Sequence, residues 1–268
     1  AAAAAVLFVA ASATAAEVGG FGWEAQQAGA LDSRVESFSD SELKGLVGFG
    51  FGAAPQYIGS ADYEPVFLPL IDIEWRGTYF LSTQRGLGVN FIRRRALRAG
   101  PRLTLDPGRA SSDNSFLTGL SDIDPSIEAG VFLELFSGAW RFKLDLRKGL
   151  QATGHNGLIG TVDLALGGRL DDRTNLVLGG ALHWTSDTYA NTVFGIPAAQ
   201  ATGSRPTFKG TGGVQDVGAY ANLIYNVNQW VFLTGLLRVT ALVGSAADSP
   251  LSQSDQQYFG GALIAYRF

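Results

Sequence analysis

The sequence contains no cysteine and no methionine. Without cysteine there can be no disulfide framework, no thiolate-bound zinc or iron–sulfur centre and no thiol nucleophile. Because an initiator methionine is missing too, we expect the translated product to begin upstream of Ala1. The absence of cysteine therefore excludes secreted domains held together by disulfides, and it excludes enzymes with a thiol nucleophile.

Charge is also scarce. Charged residues make up 16% of the 268 residues, whereas about 25% is typical of soluble domains. The net charge of −4 argues against a nucleic-acid-binding protein, because such proteins carry a basic face. Mean hydropathy is positive, at +0.13, yet no run after residue 16 approaches the roughly 20 apolar residues of a membrane-spanning helix. A mildly hydrophobic chain with 35 glycines and no such run is typical of a membrane β-barrel.

The first residues indicate export. The stretch AAAAAVLFVAASATAAEV is apolar, then rich in small residues, and contains Ala13-Thr14-Ala15, a cleavage site of the A-x-A type. We expect residues 1–16 to be the remnant of a secretory signal peptide and residues 17–42 to form a periplasmic N-terminal segment. A buried alanine-rich helix is the disfavoured alternative, because polar, loop-like sequence follows.

The rest of the chain alternates with a period of two residues, which predicts β-strands. In WRFKLDLR (140–147), for example, every second side chain is apolar and the others are charged. Such segments run about 10–14 residues, longer than the about 5–6 of soluble strands and long enough to cross a membrane at a tilt. Because a sheet satisfies its backbone in lipid only by closing, the prediction is an all-β, closed antiparallel transmembrane β-barrel over residues 43–268.

Long and short connections alternate, as in outer-membrane barrels with long outer loops and short periplasmic turns. The long connections are 54–64, 107–124, 150–155, 186–213 and 244–255. Eleven segments are clear, and bacterial single-chain barrels have even strand numbers. We therefore split 78–92 into two short strands around Gln84–Arg85, which gives 12 strands, with 10 as the alternative. By this count FIRRRALR (91–98) contains a periplasmic turn.

Two sets of side chains follow from the alternation. An aromatic girdle at the membrane interfaces is predicted from residues at strand ends, namely Trp75, Trp140, Trp184, Trp230, Tyr266 and Phe268. Ionisable residues on the opposite face are predicted to line the lumen, namely Asp72, Glu74, Arg98, Arg102, Glu128, Glu134, Arg141, Lys143, Asp145, Arg147, Asp163 and Arg238. Their mixed signs favour a salt-bridged, narrow or occluded lumen over an open pore.

The chain has two histidines, and neither lies in a clear catalytic pattern. His155 lies in TGHNG, where Asn156-Gly157 is a hairpin-turn signal, so we expect an exposed loop histidine. His183 lies two residues before Thr185, a weak nucleophile, so lipid hydrolysis at a membrane-embedded site is a disfavoured alternative.

No cofactor, metal or catalytic residue is predicted. Asp122 and Asp124 have DxD spacing, but aspartates that cap a turn explain them better than a metal site does. The glycine-rich GFGFG (48–52) precedes no helix pattern, so small residues facing a lumen explain it better than a phosphate-binding loop.

The chain resembles the MipA/OmpV family of outer-membrane proteins. The resemblance rests on GFGFGAAPQYIGSADYEPVFLPLIDIEWRGTYFLSTQRGLGVNF (48–91), AGPRLTLDPGRASSDNSFLTGLSDIDPSIEAG (99–130), SDTYANTVFGI (186–196), GSAADSPL (244–251) and the final YRF. It implies a barrel without a catalytic motif. One member is described as a scaffold that links a membrane-bound lytic murein transglycosylase to a murein synthase of the penicillin-binding type, and others are discussed as porin-like or adhesive.

The sequence and the resemblance together predict a non-enzymatic barrel in the bacterial outer membrane. Its expected partners are outer-membrane lipid and a periplasmic murein transglycosylase or penicillin-binding synthase. Arg93, Arg94 and Arg95 are expected to form a basic periplasmic turn. Anchoring to phospholipid headgroups is the favoured interpretation of this cluster, and docking of an acidic periplasmic partner is the alternative. The alternatives are a narrow porin-like channel and a surface adhesin that uses 186–213 and 244–255.

Overall fold

A computed structural model describes residues 43–268; the predicted signal-peptide remnant (1–16) and N-terminal segment (17–42) lie outside the described residues. Thirteen antiparallel strands form one sheet in this part of the chain. The strands are β1 (Leu43–Pro55), β2 (Tyr63–Trp75), β3 (Tyr79–Ser82), β4 (Gly86–Val89), β5 (Ile92–Arg94), β6 (Leu97–Asp106), β7 (Ser126–Ser137), β8 (Trp140–Gly149), β9 (Leu158–Arg169), β10 (Thr174–Thr185), β11 (Gly213–Asn226), β12 (Val231–Leu242) and β13 (Gln256–Arg267).

Two pairings close the sheet into a barrel. The last strand, β13, pairs with β1 from Leu46 opposite Arg267 to Ala53 opposite Gly260. The other junction joins β4 to β6 through Gly88 opposite Arg102. The three-residue β5 is a hairpin arm on the start of β6, so twelve of the 13 strands form the wall. The closed 12-strand barrel is therefore confirmed, as is the division of 78–92 into two short strands.

The barrel has two unlike ends. The turn end carries Leu43, Phe268 and the short connections between strands other than the β3–β4 connection (83–85), and Trp75, Trp140, Trp230 and Tyr266 lie on its outer surface. The loop end carries the long connections 56–62, 107–125, 150–157, 186–212 and 243–255. Trp184 lies at the loop end, as do two exposed tyrosines that sequence reasoning left out of the girdle, Tyr63 and Tyr258.

The long loops fold over the barrel mouth. They contain two helices, α1 (Asp187–Phe194) and α2 (Gly244–Asp248). Neither is long and apolar enough to span a membrane, and the described residues contain no other helix that could. Tyr57, Leu117, Leu120, Ile196 and Leu251, from four different connections, bury one another in an apolar cluster. This cluster caps the loop end and fixes the loops relative to one another.

The wall is low at β3 and β4, which have four residues each beside the 13 residues of β2. Beyond this short pair, β2 presents an unpaired edge. Thr83 covers its start, because its hydroxyl accepts from the Ile71 N–H at 3.3 Å and donates to the Pro69 carbonyl at 3.1 Å. Backbone direction alternates along a strand, so the nitrogens of Pro69 and Pro65 point to the same open edge as that of Ile71. Proline has no N–H to leave unpaired there.

The β1–β13 seam depends on inward-facing glycines in β1. A Cβ at Gly50 would lie 2.1 Å from the Ala262 carbonyl oxygen and 2.4 Å from the Leu263 Cβ. Neither contact is physically possible without moving the backbone. By contrast, a Cβ at Gly235 in β12 meets nothing within 4 Å. The glycines of GFGFG therefore permit close approach of the two strands that close the barrel.

We predict that Gly50→Ala destabilises the barrel and that the matched control Gly235→Ala does not. Overpacking of this kind costs about 1–3 kcal/mol, whereas Ala at an open strand position gains up to about 1 kcal/mol through the unfolded state. The unfolding midpoint of each variant is measured by urea titration of the refolded barrel. The folded fraction is detected as the folded band in unheated SDS gels. Equal midpoints for the two variants would contradict this account of the seam.

Candidate functional site

The inner face of the barrel has an apolar side and a charged side. The apolar side lies on β1, β2 and β9–β13, where Leu68, Leu70, Phe232, Leu236 and Leu263 are each less than 5% exposed. The charged side lies mainly on β6–β9. Packing of the apolar side chains against one another fills that part of the lumen rather than lining a channel.

Ion pairs fill the charged side. Arg102 lies 2.7 Å from Asp145, and Arg141 lies 2.5 Å from Asp163. Arg147 bridges two strands, with contacts of 2.6 Å to Glu128 and 2.8 Å to Asp145. Two more pairs lie nearer to β2, namely Arg85 with Asp72 at 2.7 Å and Arg98 with Glu74 at 3.8 Å.

All twelve sequence-predicted lumen residues occupy inward-facing strand positions. Glu134 and Lys143 are buried and opposite each other in the β7–β8 register. Arg238 lies apart, in β12, where its Nε donates to Thr240 at 3.1 Å. Sequence reasoning missed Arg85, which follows β3 and has no strand alternation to reveal that it points inward.

The centre of the network is a buried triad. The side chains of Arg141 and Asp163 are each 1% exposed. Tyr220, in β11 two strands away from Asp163 in β9, donates its hydroxyl to the second Asp163 oxygen at 2.9 Å and accepts from Arg141 at 3.3 Å. Charges taken out of water are tolerated only when they are paired and hydrogen-bonded, so each member requires the other two. The triad ties the charged side of the barrel to the apolar side.

We predict that Arg141→Gln or Asp163→Asn destabilises the barrel by about 3–5 kcal/mol, because each leaves an unpaired buried charge. The double variant Arg141→Leu with Asp163→Leu should recover much of the loss. Arg169 and Asp172, at 59% and 99% exposed, form the matched surface pair, and Arg169→Gln should change nothing measurable. Urea unfolding of the refolded barrel measures the free energy of unfolding of all four variants. A single variant as stable as the wild type would contradict the triad's role.

His155 is buried, so the expectation of an exposed loop histidine is wrong. Its side chain is 1% exposed because the 150–157 connection turns inward under α1, and Asn156-Gly157 leads into β9 instead of forming a hairpin turn. The ring meets Tyr189 of α1 edge-on at 4.9 Å between centroids. Sequence reasoning could not find this burial, because a loop that folds back over a lumen has no periodicity.

Two carboxylates face the His155 ring. Its Nε2 lies 3.2 Å from Glu128 and 3.4 Å from Asp106. Burial lowers the pKa of this imidazolium, but the two carboxylates outweigh that effect and raise the pKa to about 9. The pocket therefore favours positive charge.

The other residues with predicted or excluded chemistry have structural partners. His183 faces inward, and its Nδ1 lies 2.7 Å from Asp216. Thr185, the nucleophile that lipid hydrolysis would need, is 2% exposed, so a lipid ester does not reach it in this conformation. Asp122 accepts the Ser111 N–H at 2.6 Å and so joins two parts of the 107–125 connection.

The basic turn lies at the turn end and is exposed. Arg93 and Arg94 belong to β5, and Arg95 follows in the turn to β6. Arg93 donates to the backbone carbonyl oxygen of Arg76 in the neighbouring β2–β3 turn, whereas the Arg76 guanidinium lies over the Trp75 ring. Phe91, directly before β5, is 83% exposed. Basic and aromatic groups therefore share one accessible surface.

A closed barrel with an apolar outer surface, girdles of aromatic residues and unlike ends is a β-barrel of the outer-membrane type. The family model described as "MltA-interacting protein MipA" matches residues 47–268. The chain belongs to the MipA family and is a bacterial outer-membrane barrel.

Solved structures with similar architecture share little sequence with this chain. An outer membrane channel from Pseudomonas putida F1 is 12% identical, covering 87% of this chain and 98% of its own, with a TM-score of 0.42. An anion-selective porin from Comamonas acidovorans is 9% identical, covering 84% and 98%, with a TM-score of 0.39. OmpT of Vibrio cholerae is 9% identical, covering 84% and 97%, with a TM-score of 0.37. A search of curated proteins finds no match. These likenesses carry no information about function.

Proposed function

We propose that this protein is a non-enzymatic scaffold whose turn end docks a periplasmic murein-remodelling enzyme, either a lytic transglycosylase or a penicillin-binding synthase. The observation that carries the proposal is the exposed basic turn of Arg93, Arg94 and Arg95. The family description, which names an interaction with MltA, supports it.

The lengths of the connections support a periplasmic position for this turn. Outer-membrane barrels have short turns in the periplasm and long loops outside. The turn end has the short connections and the basic turn, whereas the long connections lie at the opposite end. A periplasmic enzyme therefore meets the basic turn.

The chemistry of the turn suits an acidic protein surface. Guanidinium groups bind carboxylates bidentately, with geometry as well as charge contributing to specificity. Phe91 adds an apolar group of the kind that anchors interfaces when it is buried by a partner. Phospholipid headgroups are the other possible ligand for the arginines, and partner binding in detergent separates the two.

A porin-like channel is the second candidate, and the charged lumen is the observation in its favour. Burial weighs against it. Arg141 and Asp163 are each 1% exposed, and Leu68 on the opposite wall is also 1% exposed. Side chains that line a water-filled passage would be exposed to water. The packed interior fits a scaffold better.

We predict that Arg93→Glu, Arg94→Glu and Arg95→Glu combined reduce partner recovery at least about tenfold, because like charges then face an acidic partner. The measurement is an affinity pull-down from solubilised envelopes with the full-length, folded barrel as bait. Folding is checked by heat-modifiable migration in SDS gels, and the exposed positions of the three residues should leave it unchanged.

The matched control is Arg169→Glu with Arg173→Glu. These arginines lie at the same end, in the β9–β10 turn, where Arg169 already pairs with Asp172. Enzyme recovery should survive this second charge reversal. Recovery that is unchanged in the triple variant, or lost equally in both, would remove the basic turn as the docking site.

A further inference from the structure

Three side chains from separate segments meet beneath the loop cap. Asp106 ends β6, Glu128 lies near the start of β7, and His155 comes from the connection between β8 and β9. One ligand atom from each lies within 4.8 Å of the others. One imidazole nitrogen and two carboxylate oxygens are therefore close enough together to share one metal ion.

Two of these ligand atoms have no hydrogen-bond partner. Glu128 Oε1 and His155 Nε2 are fully buried, and their mutual approach does not have hydrogen-bond geometry. The other Glu128 oxygen is occupied, since it accepts from Thr104 and from Arg147, each at 2.6 Å. Those two bonds fix the carboxylate so that Oε1 faces the imidazole. A buried acceptor without a well-aligned donor is costly. A metal ion that replaces the imidazole proton would contact both Oε1 and Nε2 and so satisfy the two atoms together.

The spacing fits a coordinated ion. Zinc binds imidazole nitrogen and carboxylate oxygen at about 2.0–2.2 Å. Two such ligands at angles between 90° and 109° are about 2.8–3.6 Å apart. The observed separations from His155 Nε2 are 3.2 Å to Glu128 and 3.4 Å to Asp106. Glu128 and Asp106 thus each lie at the distance from His155 Nε2 that two ligands of one metal ion have.

We propose that Asp106, Glu128 and His155 bind a divalent transition-metal ion of the zinc type. The mixed nitrogen and oxygen donors suit Zn²⁺ and its neighbours better than a soft ion such as Cu(I). A cavity of about 10 Å³ adjoins Asp106 and His155 and is lined on its other side by Tyr57 and Arg109. That volume holds about one water molecule, which supplies a fourth ligand.

The ion fastens the loop cap to the barrel. Its ligands join two wall strands to the 150–157 connection, and His155 contacts Tyr189 of α1. Ser126 strengthens the same junction, because its hydroxyl donates to the His155 carbonyl oxygen at 3.0 Å. The site is structural, and it lies at the opposite end of the barrel from the basic turn.

The test uses the full chain without a histidine tag, refolded in detergent and stripped with a chelator. Isothermal titration with ZnCl₂ should show one ion per barrel, and Co²⁺ should give visible absorption bands from a low-symmetry site. His155→Ala and Asp106→Asn should each weaken binding at least about tenfold. The matched controls are His183→Ala and Asp122→Asn, a histidine and an aspartate away from the cluster, which should bind like the wild type.

Folding of each variant is checked by heat-modifiable migration. If His155→Ala does not fold, zinc binding by Asp106→Asn tests the site instead, because Asp106 is partly exposed. Zn²⁺ should also raise the unfolding midpoint of the wild-type barrel. A folded wild-type barrel that binds neither Zn²⁺ nor Co²⁺ would overturn the proposal and leave a protonated histidine between two carboxylates. Binding that is unaffected by both variants would overturn it as well.

Discussion

Backbone hydrogen bonds that must be made inside lipid govern this structure. A peptide N–H or C=O at membrane depth has no water to bond, so each strand edge must be paired, covered or chemically blunted. The pairing of β1 with β13 removes one pair of edges, and inward glycines such as Gly50 let the two strands come close enough. Where β3 and β4 are too short to pair with all of β2, Thr83 covers the start of the β2 edge, and Pro65 and Pro69 leave two fewer N–H donors along it.

Closure leaves an interior that twelve strands make too wide to be filled by apolar side chains from all walls. This barrel fills one side with leucine and phenylalanine and the other with ion pairs. The Arg141–Asp163–Tyr220 triad joins the two sides. A filled lumen makes the barrel a rigid support, and what it presents to partners lies at its ends. The proposed docking surface, the basic turn, and the proposed metal site, under the loop cap, lie at opposite ends.

Period-two alternation predicted the strand faces, the inward charges and the outward aromatics, because each depends only on neighbours along one strand. The even strand number required the short β3–β4 pair, and the register confirms it. Other features depend on contacts distant in sequence. Nothing near His155 indicates that its loop folds under α1, and Arg85 becomes a lumen residue only because the wall is low there. Proline is unfavourable inside a strand, so Pro65 and Pro69 of β2 are explained only by the unpaired edge to which their nitrogens point.

The proposal that murein enzymes dock at the turn end is tested most directly by photo-cross-linking in intact cells. A benzophenone amino acid placed at Arg94 reports contacts at the turn end, and one at Ser111 reports contacts at the loop end. The account predicts an adduct with a murein transglycosylase or synthase from position 94 and none from position 111. Adducts with such an enzyme from position 111 alone would contradict it.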